Sequence, residues 1–332
     1  MGKSKKIANN ILDLIGETPM IKLNRITAEL KGEYFAKIEG FNPGHSTKDR
    51  IALYIIEEAE RKGILKPGST IIETTSGNTG FSIAMVSIIK GYECMLAVTS
   101  KSTQDKIDML KAMGANIFIC PANVAADDPR SYYQVAKRLH EEIKDSVYIN
   151  QYFNNLNSEA HYKTTGPEIW EQTEGKIDGF VCSSGTGGTI AGVSSFLKNK
   201  NRNVKIYLSD PKGSSLYNYI ENGELKSEGG SITEGIGSSR VTANFAEAKI
   251  DGAFSIDDHE SLPILYDLIK NEGLSLGTSC GVNIAGAIRL AKKLGPGKTI
   301  VTILCDRSDR YQSKLFNKNF LIEKKLPYPD WL

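Results

Sequence analysis

Three stretches of this sequence set reactive side chains in backbone contexts that could use them. Asn42-Pro43-Gly44-His45-Ser46-Thr47-Lys48-Asp49-Arg50 has loop chemistry, since Pro43 fixes one φ and Gly44 permits a positive one. It runs into Ile51 to Ala59, which reads as an amphipathic helix with Ser46 or Thr47 as its N-cap and Lys48 on the first turn. A cation there meets the positive end of the helix dipole, an unfavourable place for a charged ammonium. That suits an amine that must be neutral to attack a carbonyl. The competing reading is a solvated lysine beside a helix start.

Ser183-Ser184-Gly185-Thr186-Gly187-Gly188-Thr189 follows a short apolar strand and opens a helix, the arrangement of an anion site and most often a phosphate site. A dinucleotide fingerprint is the alternative. Gly185-x-Gly187 fits its opening and Asp210 stands near the ribose-binding distance, but the third glycine is replaced by Ile190. A single phosphate therefore fits better. Thr74-Thr75-Ser76-Gly77-Asn78-Thr79-Gly80 is a second strand–loop–helix turn, whose hydroxyls, amide and backbone donors suit a carboxylate. Gln151, after Ile149-Asn150 at a strand end, could add an amide. A nucleophilic lysine, a phosphate cup and a carboxylate loop are together what pyridoxal phosphate requires when its substrate is an amino acid.

Strand and helix alternate around these loops. Strands are predicted at Ser69 to Glu73, Glu93 to Val98, Asn116 to Cys120, Gly179 to Cys182, Lys205 to Leu208 and Thr299 to Leu304. Helices are predicted at Phe81 to Lys90, Ser102 to Met113, Tyr132 to Lys144, Ile190 to Lys198, Leu262 to Glu272 and Ala285 to Leu294. Two further strands, Thr18 to Leu23 and Glu33 to Glu39, precede them. The fold class is α/β with parallel, doubly wound sheets, in two lobes meeting near residue 150 with a cleft at the carboxyl ends of the strands. The glycine-rich stretch 213–253 reads as irregular and functional.

With 332 residues, 40% hydrophobic and 24% charged, the composition is that of a soluble globular protein. A net charge of +2 gives no reason to expect nucleic acid or an anionic membrane. Five scattered cysteines without CxxC pairing point to a reducing cytoplasm, and four widely spaced histidines show no metal pattern. No apolar run reaches membrane-spanning length.

The Asn42 to Arg50 stretch, Thr75-Ser76-Gly77-Asn78-Thr79-Gly80, Gly185 to Thr189 and Gly277-Thr278-Ser279-Cys280-Gly281 resemble, in that order, the four signatures of the cysteine synthase/cystathionine β-synthase family. The likeness runs from Ile15-Gly16-Glu17-Thr18-Pro19 to Asp309-Arg310-Tyr311, nearly the whole chain. It implies the fold-type II pyridoxal-phosphate architecture. It further implies a smaller mobile domain over 45–153, and a larger domain of 1–44 plus 154–332 that holds the cofactor phosphate. Lys48 would form the Schiff base and shuttle the α-proton, and Asn78 would bond the ring hydroxyl. Gly185, Thr186, Gly187, Gly188 and Thr189 would hold the phosphate, with Ser279 at the pyridine nitrogen. Thr75, Ser76, Thr79 and Gln151 would bind the substrate carboxylate. A neutral serine leaves the ring nitrogen unprotonated, which favours β-elimination over transamination.

The resemblance is closest to an O-acetylserine sulfhydrylase: β-replacement through an α-aminoacrylate, from O-acetyl-L-serine and sulfide to L-cysteine and acetate. It also implies a homodimer and a serine acetyltransferase partner. The chain departs at Glu234, where such enzymes usually carry glutamine, and at Asp306 to Tyr311. Glu234 could act as a base toward water or a thiol, giving an L-cysteine-consuming, sulfide-releasing alternative, or could be tied up by Arg240. A non-catalytic regulatory relative is the third reading, disfavoured by the intact Lys48. Ending at Leu332, the chain is expected to lack the C-terminal regulatory module of larger cystathionine β-synthases.

Overall fold

A computed structural model describes residues 7–75 and 77–332, and its contacts divide the chain into two units. Ten strands run in chain order as β1 (Met20–Lys22), β2 (Gly32–Ile38), β3 (Thr70–Thr74), β4 (Glu93–Thr99), β5 (Asn116–Cys120), β6 (Ser146–Tyr148), β7 (Gly179–Cys182), β8 (Lys205–Pro211), β9 (Gly252–Ile256) and β10 (Lys298–Leu304). The first unit comprises the described residues up to Glu17 with Asn42–Leu156. The second comprises Thr18–Phe41 with Asn157–Leu332.

In the first unit β3 reads TIIET, mostly β-branched and buried throughout, as suits a central parallel strand. The sheet order is β5-β4-β3-β6, all parallel. Helices Lys48–Arg61 and Asn78–Lys90 pack together beside it. Parallel strands align their carboxyl ends, so the loop after β3 and the turn after β6 open on the same edge. Thr75, Thr79 and Gln151 lie there.

In the second unit the order is β1-β2-β10-β7-β8-β9. Alternate residues of β10 divide between two cores, Ile300 and Leu304 in one, Val301 and Ile303 in the other. Both faces of this sheet are therefore covered. Strand β2, near the start of the chain, lies parallel to β10 near its end, in register from Gly32 with Lys298 to Ile38 with Leu304. A lysine sits in this interior. Lys37 is fully buried, and its Nζ lies 2.7 Å from Glu168 Oε2, 2.8 Å from the Thr18 carbonyl and 3.0 Å from Gln172 Oε1.

Several details differ from the sequence expectation. β1 runs antiparallel to β2, so this sheet is mixed rather than wholly parallel. The helix expected from Ala285 begins at Thr278, because Thr-Ser-Cys-Gly-Val-Asn reads locally as a loop yet is buried against neighbouring elements. Stretch 213–253 is not irregular throughout: it holds helix Leu216–Asn222 and the start of β9. Helix Thr165–Gln172 was hidden by Gly166-Pro167, which resembles a turn although a first helical turn tolerates proline.

Candidate active site

In the first unit Lys48 opens helix Lys48–Arg61, as its position in the sequence predicts, but the expected cap is not made in the usual way. Thr47 precedes the helix without a side-chain cap, and its buried hydroxyl finds no partner among the described residues; Ser46 Oγ accepts the Lys48 N–H at 3.3 Å. Behind Lys48 the buried Asp49 carboxylate accepts the Gly44 N–H and the Ser82 hydroxyl, fixing the loop to the next helix. Lys48 itself is half-buried. Its amine makes no hydrogen bond or ion pair among the described residues. His45, beside it, is exposed with φ 62°, so the side chain is not a packing element of the core.

Asn78 begins helix Asn78–Lys90, and Thr75 Oγ1 accepts the Gly77 N–H at 3.2 Å. Ser76 lies outside the described residues. Thr79 and Gln151 are brought together: the Thr79 hydroxyl donates to Gln151 Oε1 at 2.8 Å, and both side chains are buried. Sequence reasoning missed the residue beneath them. Glu73, the acid of β3, is fully buried and accepts the Gln151 N–H at 3.0 Å and the Thr74 N–H at 2.6 Å. Burial pushes its carboxyl up to about 7. An acid closing an otherwise apolar strand just before a hydroxyl loop was the available signal.

In the second unit Gly185 to Thr189 link β7 to helix Gly188–Lys200. Gly187 adopts φ +90°, and no side chain caps the helix. A Cβ on Gly188 would stand 1.8 Å from Asn157 Oδ1. Asn157 Nδ2 donates to Thr186 Oγ1 at 3.0 Å, while His161 Nε2 lies 3.1 Å from Thr189 Oγ1 and its Nδ1 2.8 Å from Thr165 Oγ1. Asn157 and His161 thus orient two threonines of the loop. They are too distant in sequence to be linked to it by spacing.

Ser279 is buried on the first turn of helix Thr278–Leu294, and its hydroxyl makes no bond among the described residues. The departing segment after β10 buttresses that turn. The Asp306 carbonyl accepts the Gly277 N–H at 3.2 Å, and the Asp306 carboxylate accepts the Tyr311 hydroxyl. Glu234 arrives by its own route. Asp258 accepts from Ser231 Oγ at 2.6 Å and from the Ile232 N–H at 2.7 Å, and Thr278 Oγ1 accepts the Glu234 N–H at 3.4 Å. The Glu234 carboxylate pairs with Lys314 Nζ at 2.8 Å, a cation 80 positions away that no spacing connects with it. With the two side chains 37% and 28% exposed, the pair is worth at most about 1 kcal/mol. The next residues lie against the glycine loop, the Gly237 N–H donating to the Ser184 carbonyl at 2.8 Å.

These residues fit pyridoxal phosphate. The uncapped helix start and the buried hydroxyls of Ser183 and Ser184 supply donors for a phosphate, and Ser279 offers a further hydroxyl, none of the three hydroxyls being bonded among the described residues. The dinucleotide reading fails at Asp210. Its carboxylate is fully buried and accepts the Tyr217 N–H at 2.8 Å at the start of helix Leu216–Asn222, so no ribose can reach it. Gly188→Ala, by driving Asn157 off Thr186, is expected to weaken cofactor binding by about tenfold or more, measured by titrating the apoprotein with pyridoxal phosphate. Among the described residues, no cluster of three His, Cys, Asp or Glu could hold a metal ion, and no helix is long and apolar enough to cross a membrane.

Comparison with known proteins agrees with this geometry. A family model described as "Pyridoxal-phosphate dependent enzyme" matches residues 11–306. Cysteine synthase 1 of Emericella nidulans is 43% identical over 331 residues, covering 98% of this chain and 89% of that protein. Cystathionine beta-synthase of Rattus norvegicus is also 43% identical, covering 97% of this chain but 58% of its own length. The crystal structure of a hydrogen sulfide-producing enzyme from Fusobacterium nucleatum superposes with a TM-score of 0.83 at 32% identity, covering 92% of this chain and 100% of that one. With its glycine loops, its lysine-bearing helix start and these relatives in agreement, the chain belongs to the pyridoxal-phosphate dependent enzymes, in the branch that contains cysteine synthases and cystathionine beta-synthases.

Proposed function

We propose that the protein is a cysteine synthase, replacing the acetoxy group of O-acetyl-L-serine with sulfide to give L-cysteine and acetate. The observation that carries this reading is the half-buried amine of Lys48, without a bonded partner among the described residues, in a chain 43% identical over 98% of its length to a cysteine synthase. Pyridoxal phosphate, when bound, supplies an aldehyde for the substrate amine and a conjugated ring that acidifies the α-carbon.

The remaining work falls to side chains of this protein. Lys48 would hold the cofactor through its amine and would take the α-proton of the substrate. Gly185 to Thr189 bind the phosphate through backbone donors and threonine hydroxyls. Asn78 would bond the ring hydroxyl, and Ser279, a neutral donor, would leave the ring nitrogen uncharged. Thr75, Ser76, Thr79 and Gln151 bind the substrate carboxylate. Residues 45–153 form the mobile part that closes over the substrate and excludes water. The enzyme works as a cytoplasmic homodimer, with a serine acetyltransferase as the partner that supplies O-acetylserine.

Glu234 favours a second reading, in which L-cysteine is consumed and sulfide released to water or a thiol. The Glu234 carboxylate, which pairs with Lys314 in a partly exposed setting and has a further interaction besides, would act as the base in this reading. Assaying both directions on the loaded enzyme separates the readings. Cysteine formation from O-acetylserine is expected to exceed sulfide release from L-cysteine by at least about tenfold in kcat/KM; the opposite ranking overturns the first reading. Glu234→Gln is expected to lower sulfide release about tenfold while leaving cysteine formation within about threefold. Unchanged sulfide release would remove Glu234 as a base.

A further inference from the structure

We infer that Glu73 is a positioning residue for the amino-acid carboxylate site, fastening both flanks of the hydroxyl loop from beneath. This rests on the proposal that Thr75, Ser76, Thr79 and Gln151 bind that carboxylate. Glu73 Oε1 accepts the Thr74 N–H at 2.6 Å and the Thr74 hydroxyl at 3.0 Å. Its Oε2 accepts the Gln151 N–H at 3.0 Å, and Gln151 Oε1 in turn takes the Thr79 hydroxyl at 2.8 Å. A continuous set of bonds therefore runs Thr74–Glu73–Gln151–Thr79 and encloses the loop.

Fold stability does not account for an acid here. Glu73 is fully buried and no cation pairs with it among the described residues. The titratable group facing it is Tyr148 of β6, whose phenol is itself driven up by burial and by the Glu73 charge. An apolar residue would cost less at such a place. Only a carboxylate offers two oxygens that accept from both flanks at once, since glutamine would turn an N–H₂ toward one of the donors. What the acid provides is the orientation of the Gln151 and Thr79 side chains.

The test uses the loaded enzyme and L-alanine, an amino acid with no β-leaving group, as a calorimetric probe. Glu73→Gln is expected to raise the Kd for L-alanine, and the KM for the reacting amino acid, by about fivefold or more. The cofactor content and absorbance should be unchanged. A merely structural role would reduce the yield or the melting temperature without moving these constants. A rise below about fivefold overturns the inference. Should Glu73→Gln not fold, Thr74→Val keeps the N–H and loses the hydroxyl bond; a Kd rise of about twofold or more supports the clamp, and a smaller one overturns it. Thr79→Val separates the two levels. If it weakens L-alanine binding while Glu73→Gln does not, the carboxylate site stands and the clamp alone fails. If neither weakens binding, the carboxylate site itself is misplaced.

Discussion

Lys48→Ala is expected to lower turnover of O-acetylserine with sulfide by a factor on the order of 10³ or more, and Lys48→Arg by nearly as much. The arginine variant keeps the charge at the helix start but offers no amine that can lose its proton near neutral pH. It therefore separates a nucleophile and proton carrier from a cation that merely occupies its position. The loss is not one of structure, because the Lys48 amine bonds to nothing among the described residues, while Asp49, Gly44 and Ser82 hold the loop without it. Circular dichroism and thermal melting should match the wild type. Steady-state kinetics on dialysed, cofactor-reloaded protein measures the effect. Activity within about tenfold of wild type in either variant would remove Lys48 from the chemistry.

Lys37→Met is expected to destabilise the second unit by about 3–5 kcal/mol. The substitution takes a fully buried ammonium away from the Glu168 carboxylate, only 17% exposed, and from the Thr18 carbonyl and Gln172 amide oxygen that accept from it. Lys37→Met with Glu168→Leu should recover much of the loss, because an apolar pair of similar volume carries no uncompensated charge. Both tryptophans, Trp170 and Trp331, belong to the second unit, so denaturant unfolding followed by tryptophan fluorescence reports on that unit. A single variant within about 1 kcal/mol of wild type would show the buried pair to be dispensable.

Much of the architecture was legible because local chemistry and tertiary placement coincide in it. β3, β4, β5 and β7 are short apolar runs bounded by turn residues, and each has one structural solution. The glycine loop after β7 announces itself, since little else places three glycines among hydroxyls before a helix. What escaped was decided at long range. Asn157 reaches Thr186, and Lys314 reaches Glu234, across separations at which no periodicity or spacing carries information. Helix Thr278–Leu294 was misread at its start because Gly281, unfavourable in an isolated helix, is required there: a Cβ would come within 2.5 Å of the Ser261 carbonyl oxygen. Asp210 erred in the other direction. Its spacing fitted a nucleotide site, and only its burial shows that it serves a helix end.

The pairing of β2 with β10 sets a timetable for the ribosome. Residues 42–156 emerge as a nearly continuous unit whose four parallel strands find one another while synthesis proceeds. β2 has by then left the exit tunnel with only β1 beside it, and its other edge stays open until residues 298–304 are made. The nascent chain thus carries an unsatisfied strand edge through most of its translation, the kind of surface on which chaperones act and aggregation starts. Premature termination anywhere before β10 would strand it permanently, and would spoil the second unit however complete the cup and the helix Gly188–Lys200 already were.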